Sequence, residues 1–140
     1  MRVVLDSNII VAALRSRRGA SFELLRRLRK GRFEIALSVP LVLEYEAVLV
    51  RHATELGLVA SEAVGLVDFL CTVGRWQEIH FLWRPMLTDP RDEFILELAV
   101  AARCEAIVTF NVRDFEGSER FGIPTMTPAA FLHRLEKGTK

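Results

Sequence analysis

Cysteine is scarce in this 140-residue chain: Cys71 and Cys104 stand alone, outside any CxxC pair. That excludes a disulfide framework and makes a reducing cytoplasm the expected setting. Long hydrophobic runs are missing too. Charge-free stretches such as residues 35–43 fall well short of the about 20 residues that a membrane helix needs, so no membrane association is expected. An acid at position 6 interrupts any apolar signal region almost at once. There is no repeat, no low-complexity run and no Gly/Ser linker, which predicts a single domain over residues 1–140. Net charge is only +1, so the overall field identifies no class of partner.

Half of the residues are hydrophobic and a quarter are charged, the composition of an ordinary globular domain. Only three of the 19 basic residues are lysines. Eight basic residues fall between Arg15 and Arg32, against the single acid Glu23. They form either a surface able to meet phosphates or the solvated face of a helix in an arginine-preferring composition, and the two readings stand level.

The pattern alternates between strand and helix. Residues 2–5 read as a buried first strand, and residues 9–14 and 21–30 as helices parted by a polar break. A second strand follows at 34–37. Ser38 before Pro40 opens a helix to about His52, and another spans roughly 61–73. Residues 76–81 are a weak strand. Thr88-Asp89-Pro90 starts the next helix, which continues through 94–103. Residues 106–110 are a fourth buried strand, a polar loop follows, and 123–125 make a short last strand. Pro128 opens a final helix over 129–135. Strands alternating with helices predict an α/β fold, a Rossmann-like three-layer sandwich with a mostly parallel central sheet. Ligands of such sheets gather beyond the carboxyl ends of the strands.

Several acids fall at that edge. Asp6 follows the first strand and is either a helix cap or a free ligand, since Ser7 or Asn8 is able to cap in its place. Glu44 shares a helical stripe with Leu41, Ala47 and Val48, and periodicity does not separate it from Glu46. Asp89, Pro90 and Asp92 suit a helix start by themselves, as cap, first residue and third-position acid. Asp92 also heads the inward stripe of Ile95, Leu96 and Ala99. Asp114 follows the fourth strand, near Thr109 and Asn111, and reads alternatively as a turn former. Clustered carboxylates repel unless a hard cation neutralises them, which points to Mg²⁺ or Mn²⁺. Isolated cysteines and the lack of a nearby histidine argue against zinc.

Four segments, taken in order, resemble the PIN-domain family: Leu5-Asp6-Ser7-Asn8-Ile9-Ile10; Glu44-Tyr45 with Val48-Leu49; Asp89-Pro90-Arg91-Asp92-Glu93-Phe94; and residues 108–115, Val-Thr-Phe-Asn-Val-Arg-Asp-Phe. The closing Phe121-Gly122-Ile123-Pro124, Thr127-Pro128 and Phe131-Leu132 are similar to the branch of toxin components of toxin–antitoxin systems, the VapC-like ribonucleases. The resemblance implies a metal-dependent endoribonuclease that hydrolyses RNA phosphodiesters, with Mg²⁺ or Mn²⁺ activating the attacking water. By position, Asp6, Glu44 and Asp92 match the family's three principal acids. Many members carry a fourth acid where this chain has Asn111, and Asp114 is the alternative for that role. Asp89 and Glu93 are second choices.

Ser7, Asn8, Thr109 and Asn111 are supporting residues, and Arg15, Arg17 and Arg18 are candidate RNA contacts. A cognate antitoxin and a homodimer are the implied partners. The apolar excess and the aromatics Trp76, Phe81 and Trp83 add to the second. The rival is a catalytically inactive fold that binds RNA or protein. Haloacid-dehalogenase chemistry needs a second acid where Asn8 stands. A receiver domain needs a late lysine near the acids, and the only late ones are Lys137 and Lys140.

Overall fold

The computed structural model describes residues 1–79 and 90–138, without the side chains of Pro90, Arg91, Asp92 and Glu116. Its strands are β1 (Arg2–Leu5), β2 (Glu34–Leu37), β3 (Arg75–Trp76), β4 (Ala106–Val108) and β5 (Thr125–Met126). Helices α1 (Ser7–Arg15) and α2 (Ala20–Arg29) lead from β1 to β2. Helices α3 (Val39–Leu56) and α4 (Ala60–Val73) lead to β3, α5 (Pro90–Ala101) precedes β4, and α6 (Pro128–Gly138) closes the chain. The sheet order is β3-β2-β1-β4-β5 with every pairing parallel. This is the expected Rossmann-like α/β architecture, a parallel sheet flanked by helices.

Val3, Val4 and Leu5 of β1, Ile35 to Leu37 of β2, and Ala106 to Val108 of β4 are wholly buried. Continuous apolar strands of this kind belong to parallel sheets covered on both faces. The sequence pattern drives the helices to the same core. Ser38 Oγ accepts from Leu41 N at 3.4 Å and caps α3, and Gly57 ends it in the left-handed region at φ 67°. Phe33 and Phe131 meet edge to face at 5.1 Å and fasten α6 to the core.

Three boundaries depart from expectation. β3 covers two residues, and the last two positions of the expected strand lie outside the described residues. The expected polar loop 112–121 is a run of 3-10 turns, held by Ser118, whose buried hydroxyl donates to Ile123 O at 2.7 Å. The last strand pairs at Thr125–Met126, because Ile107 and Val108 of β4 are matched to those residues. Ile123 is buried but unpaired in that ladder. No described helix is long and apolar enough to cross a membrane.

Candidate active site

The strand order decides where a ligand would sit. From β1 the chain moves to β2 and β3 on one side, then returns to β4 and β5 on the other. The connections therefore part between β1 and β4, the topological switch point where open α/β sheets bind ligands. Register pairs Leu5 with Val108, so the residues that emerge together at this crevice are Asp6 and Thr109.

Asp6 occupies the N-cap position of α1, yet its side chain makes no capping bond. Its carboxylate turns instead to the crevice, only 8 % of the residue exposed, and Oδ2 accepts from Thr109 Oγ1 at 2.7 Å. The wholly buried Thr109 hydroxyl also accepts from Asn8 Nδ2 at 3.3 Å and from Asn111 N at 3.0 Å. One proton and two lone pairs are thereby all used. This network orients the Asn8 amide with its nitrogen toward Thr109, which turns Oδ1 away. That oxygen is buried without a hydrogen-bond partner among the described residues. Burial pushes the Asp6 carboxyl above the ordinary carboxylate range, against the pull of the Thr109 and Ser7 bonds, and the charge of Asp114 pushes the same way.

The other expected residues divide. Glu44 is half-buried on α3, whereas Glu46 is exposed and lines a groove between α3 and α4 with Leu49, Val50 and Val67. Burial thus separates the two acids that periodicity left level, although Ala47, on the same stripe, is exposed. Asp114 is exposed in the first 3-10 turn, close enough for its charge to be felt at Asp6. Asn111 is exposed and serves Thr109 through its backbone N–H. Asp92 is the third residue of α5, but its side chain and all of Asp89 lie outside the described residues, as do Phe81 and Trp83. Trp76 is about half exposed. Among the described residues no three His, Cys, Asp or Glu side chains gather around one point.

The arginine stretch is partly neutralised: Arg15 pairs with Glu55 of α3, and Arg26 and Arg27 pair with Glu23. Arg17 and Arg18 are exposed in the turn between α1 and α2. Two residues carry no role in the sequence analysis. Glu97 of α5 is 5 % exposed with Oε2 unpartnered among the described residues, and burial, then the charge of Glu93, pushes its carboxyl upward. Its signal was a lone acid inside Ile95-Leu96-Glu97-Leu98-Ala99. Tyr45, the single tyrosine, lies wholly buried and donates to Leu5 O at 2.6 Å; its signal was only its place beside Glu44.

The sequence matches the PIN domain over residues 2–113. The chain belongs to the PIN-domain family. Its fold resembles that of a chain in the crystal structure of VapBC2 from Rickettsia felis bound to a DNA fragment from their promoter. That likeness has a TM-score of 0.62 at 17 % identity, and covers 91 % of this chain and 98 % of the other. No curated protein matches the sequence significantly.

The donor set of this PIN domain suits a hard divalent cation. It consists of oxygens: a dry Asp6 carboxylate repelled by Asp114, and the orphaned carbonyl oxygen of Asn8. A cation at Asp6 would offset the repulsion there, and one within reach of Asn8 Oδ1 would supply its missing partner. Among the described residues neither a thiolate nor an imidazole joins these oxygens, so the set fits Mg²⁺ or Mn²⁺ and not structural zinc.

Proposed function

We propose that this PIN domain is a metal-dependent endoribonuclease and the toxin of a toxin–antitoxin pair. The observation that carries the reading is the Asp6 carboxylate, released from capping α1 and held by Thr109 in a desolvated crevice at the switch point. A buried, repelled acid that caps no helix is the kind of group found at functional sites. Asp6, Glu44 and Asp92 would hold Mg²⁺ or Mn²⁺, and Asp114 would complete the charge. When bound, the metal supplies Lewis acidity and neutralises charge developing on the phosphate.

The residues around Asp6 each have a part in that chemistry. Thr109 and Ser7 orient the Asp6 carboxylate, Asn8 offers a carbonyl oxygen, and Asn111 fixes Thr109. Asp6 and its fellow acids would repel RNA phosphates, which therefore need basic contacts further out. Arg17 and Arg18 are exposed candidates, and Arg15 would exchange Glu55 for phosphate. The antitoxin partner is supported by the likeness to a VapBC2 chain, whose complex holds a promoter DNA fragment. A homodimer is the proposed assembly.

Purified protein incubated with RNA in Mg²⁺ or Mn²⁺ should cleave it, chelator should stop the cleavage, and Asp6→Asn should abolish it. Full cleavage by Asp6→Asn would sink the assignment. Binding of RNA without cleavage in either metal would favour the inactive binding module, for which the neutral Asn111 speaks.

A further inference from the structure

The peptide that joins Leu5 to Asp6 is held from both sides. Its N–H, carried by Asp6, donates to Val108 O of β4 at 2.9 Å. A planar trans peptide points its carbonyl the opposite way, so the Leu5 oxygen looks away from β4, toward the β2 side. The β1–β2 ladder has already ended there, its register pairs being Arg2 with Glu34 and Val3 with Ile35. The end of β2 is occupied with β3, Leu37 O accepting from Gln77 N at 2.8 Å. The donor that the ladder no longer provides comes from α3: Tyr45 Oη reaches Leu5 O at 2.6 Å.

The hydroxyl is not needed to fill space, because phenylalanine would occupy nearly the same volume in this wholly buried position. What it adds is a fixed distance between two elements. The residue it belongs to is adjacent to Glu44, and the peptide it holds is the one that carries Asp6. We propose that Tyr45 is a positioning residue for the candidate metal acids, its phenol clamping the turn of α3 that bears Glu44 to the strand end that bears Asp6. The assignment rests on the metal-dependent reading above. Mg²⁺ and Mn²⁺ hold their oxygen ligands at short, strict distances, so a drift of α3 against β1 would weaken binding without unfolding the protein.

Mn²⁺ titration by calorimetry on the full chain tests this, using wild type, Tyr45→Phe and the remote core variant Phe131→Leu on α6. Tyr45→Phe should weaken Mn²⁺ binding by about tenfold or more, the loss typical when a ligand-supporting group is removed. Excess Mn²⁺ should then restore its rate of RNA cleavage. Phe131→Leu should melt at lower temperature and bind Mn²⁺ as wild type does. Wild-type affinity in Tyr45→Phe, or an equal loss of affinity in Phe131→Leu, overturns the assignment of Tyr45 alone. A wild-type protein that binds no Mn²⁺ overturns the metal reading, and this positioning role with it.

Discussion

Thr109→Val removes one hydroxyl and almost nothing else, since valine matches threonine in volume and branching. The hydroxyl is wholly buried and makes three bonds: to the Asp6 carboxylate at 2.7 Å, from Asn8 Nδ2 at 3.3 Å and from Asn111 N at 3.0 Å. A bond to a charged group contributes about 1.5–3 kcal/mol and one between neutral groups about 1 kcal/mol. Asn111 is exposed, so water replaces its bond; Asn8 is half-buried and loses more. The net cost is therefore about 3 kcal/mol, or roughly 10 °C in Tm for a chain of this size. Urea unfolding at neutral pH should show a lower midpoint with an unchanged slope. Thr109→Ser, which keeps the hydroxyl, should lie between wild type and Thr109→Val. The Asp6 carboxyl should titrate higher still in Thr109→Val, because the lost bond was pulling it down. If Thr109→Val stays within about 0.5 kcal/mol of wild type, as a neutral surface change would, the hydroxyl does not hold the carboxylate and the site has been built wrongly.

Asp6→Asn should raise Tm at neutral pH while abolishing cleavage, which thermal melts across the acid range would check. Burial lifts the folded pKa of Asp6 above its ordinary 3.8; stability from this group is thus present at low pH and lost as pH climbs from the unfolded value through the folded one. The advantage of Asn should vanish in acid, and a lower Tm at neutral pH would contradict the account. Asp114→Asn should weaken Mn²⁺ binding and cut activity strongly, and should let Asp6 titrate lower by removing a repelling charge; Asn111→Asp should keep or tighten binding. A fully active Asp114→Asn protein would show that Asp114 only forms the turn. Gly74→Ala should cost about 1–3 kcal/mol, because the added Cβ would lie 2.3 Å from Leu37 Cδ1 and 2.9 Å from the backbone oxygen of Leu70. Unchanged melting would mean that the wholly buried Leu37 has room to move.

The sheet was legible because parallel strands buried on both faces read as unbroken apolar runs, and β4 is such a run, as are β1 and β2 after Arg2 and Glu34. The candidate site was legible only as a set of alternatives. Asp6 as cap or ligand is a question of where one carboxylate points, and the pattern of a helix start is the same either way. Glu44 and Glu46 sit two residues apart among similar neighbours, so only the packing of α3 in the folded chain shows which is exposed. The 3-10 turns at 112–121 stayed hidden because their stabilising contacts run through Ser118 to Ile123 O and Thr125, not through any apolar period. Tyr45 was invisible as a partner of Leu5, since nothing in a sequence tells which strand carbonyl a ladder leaves unpaired.

The same register that makes β4 readable makes the site sensitive. Val3, Val4 and Leu5 pair with Ala106, Ile107 and Val108, so Thr109 follows in step with Asp6. Side chains alternate faces along a strand, and a slip of one residue would replace Thr109 at this level by Val108 or Phe110. Neither offers a hydroxyl, and Phe110, half exposed where it stands, would carry its ring toward the crevice. The apolar run that builds the core and the hydroxyl that holds the acid are therefore a single constraint: sequence changes that preserve the hydrophobicity of residues 106–108 but shift their register should keep a folded sheet and lose the site.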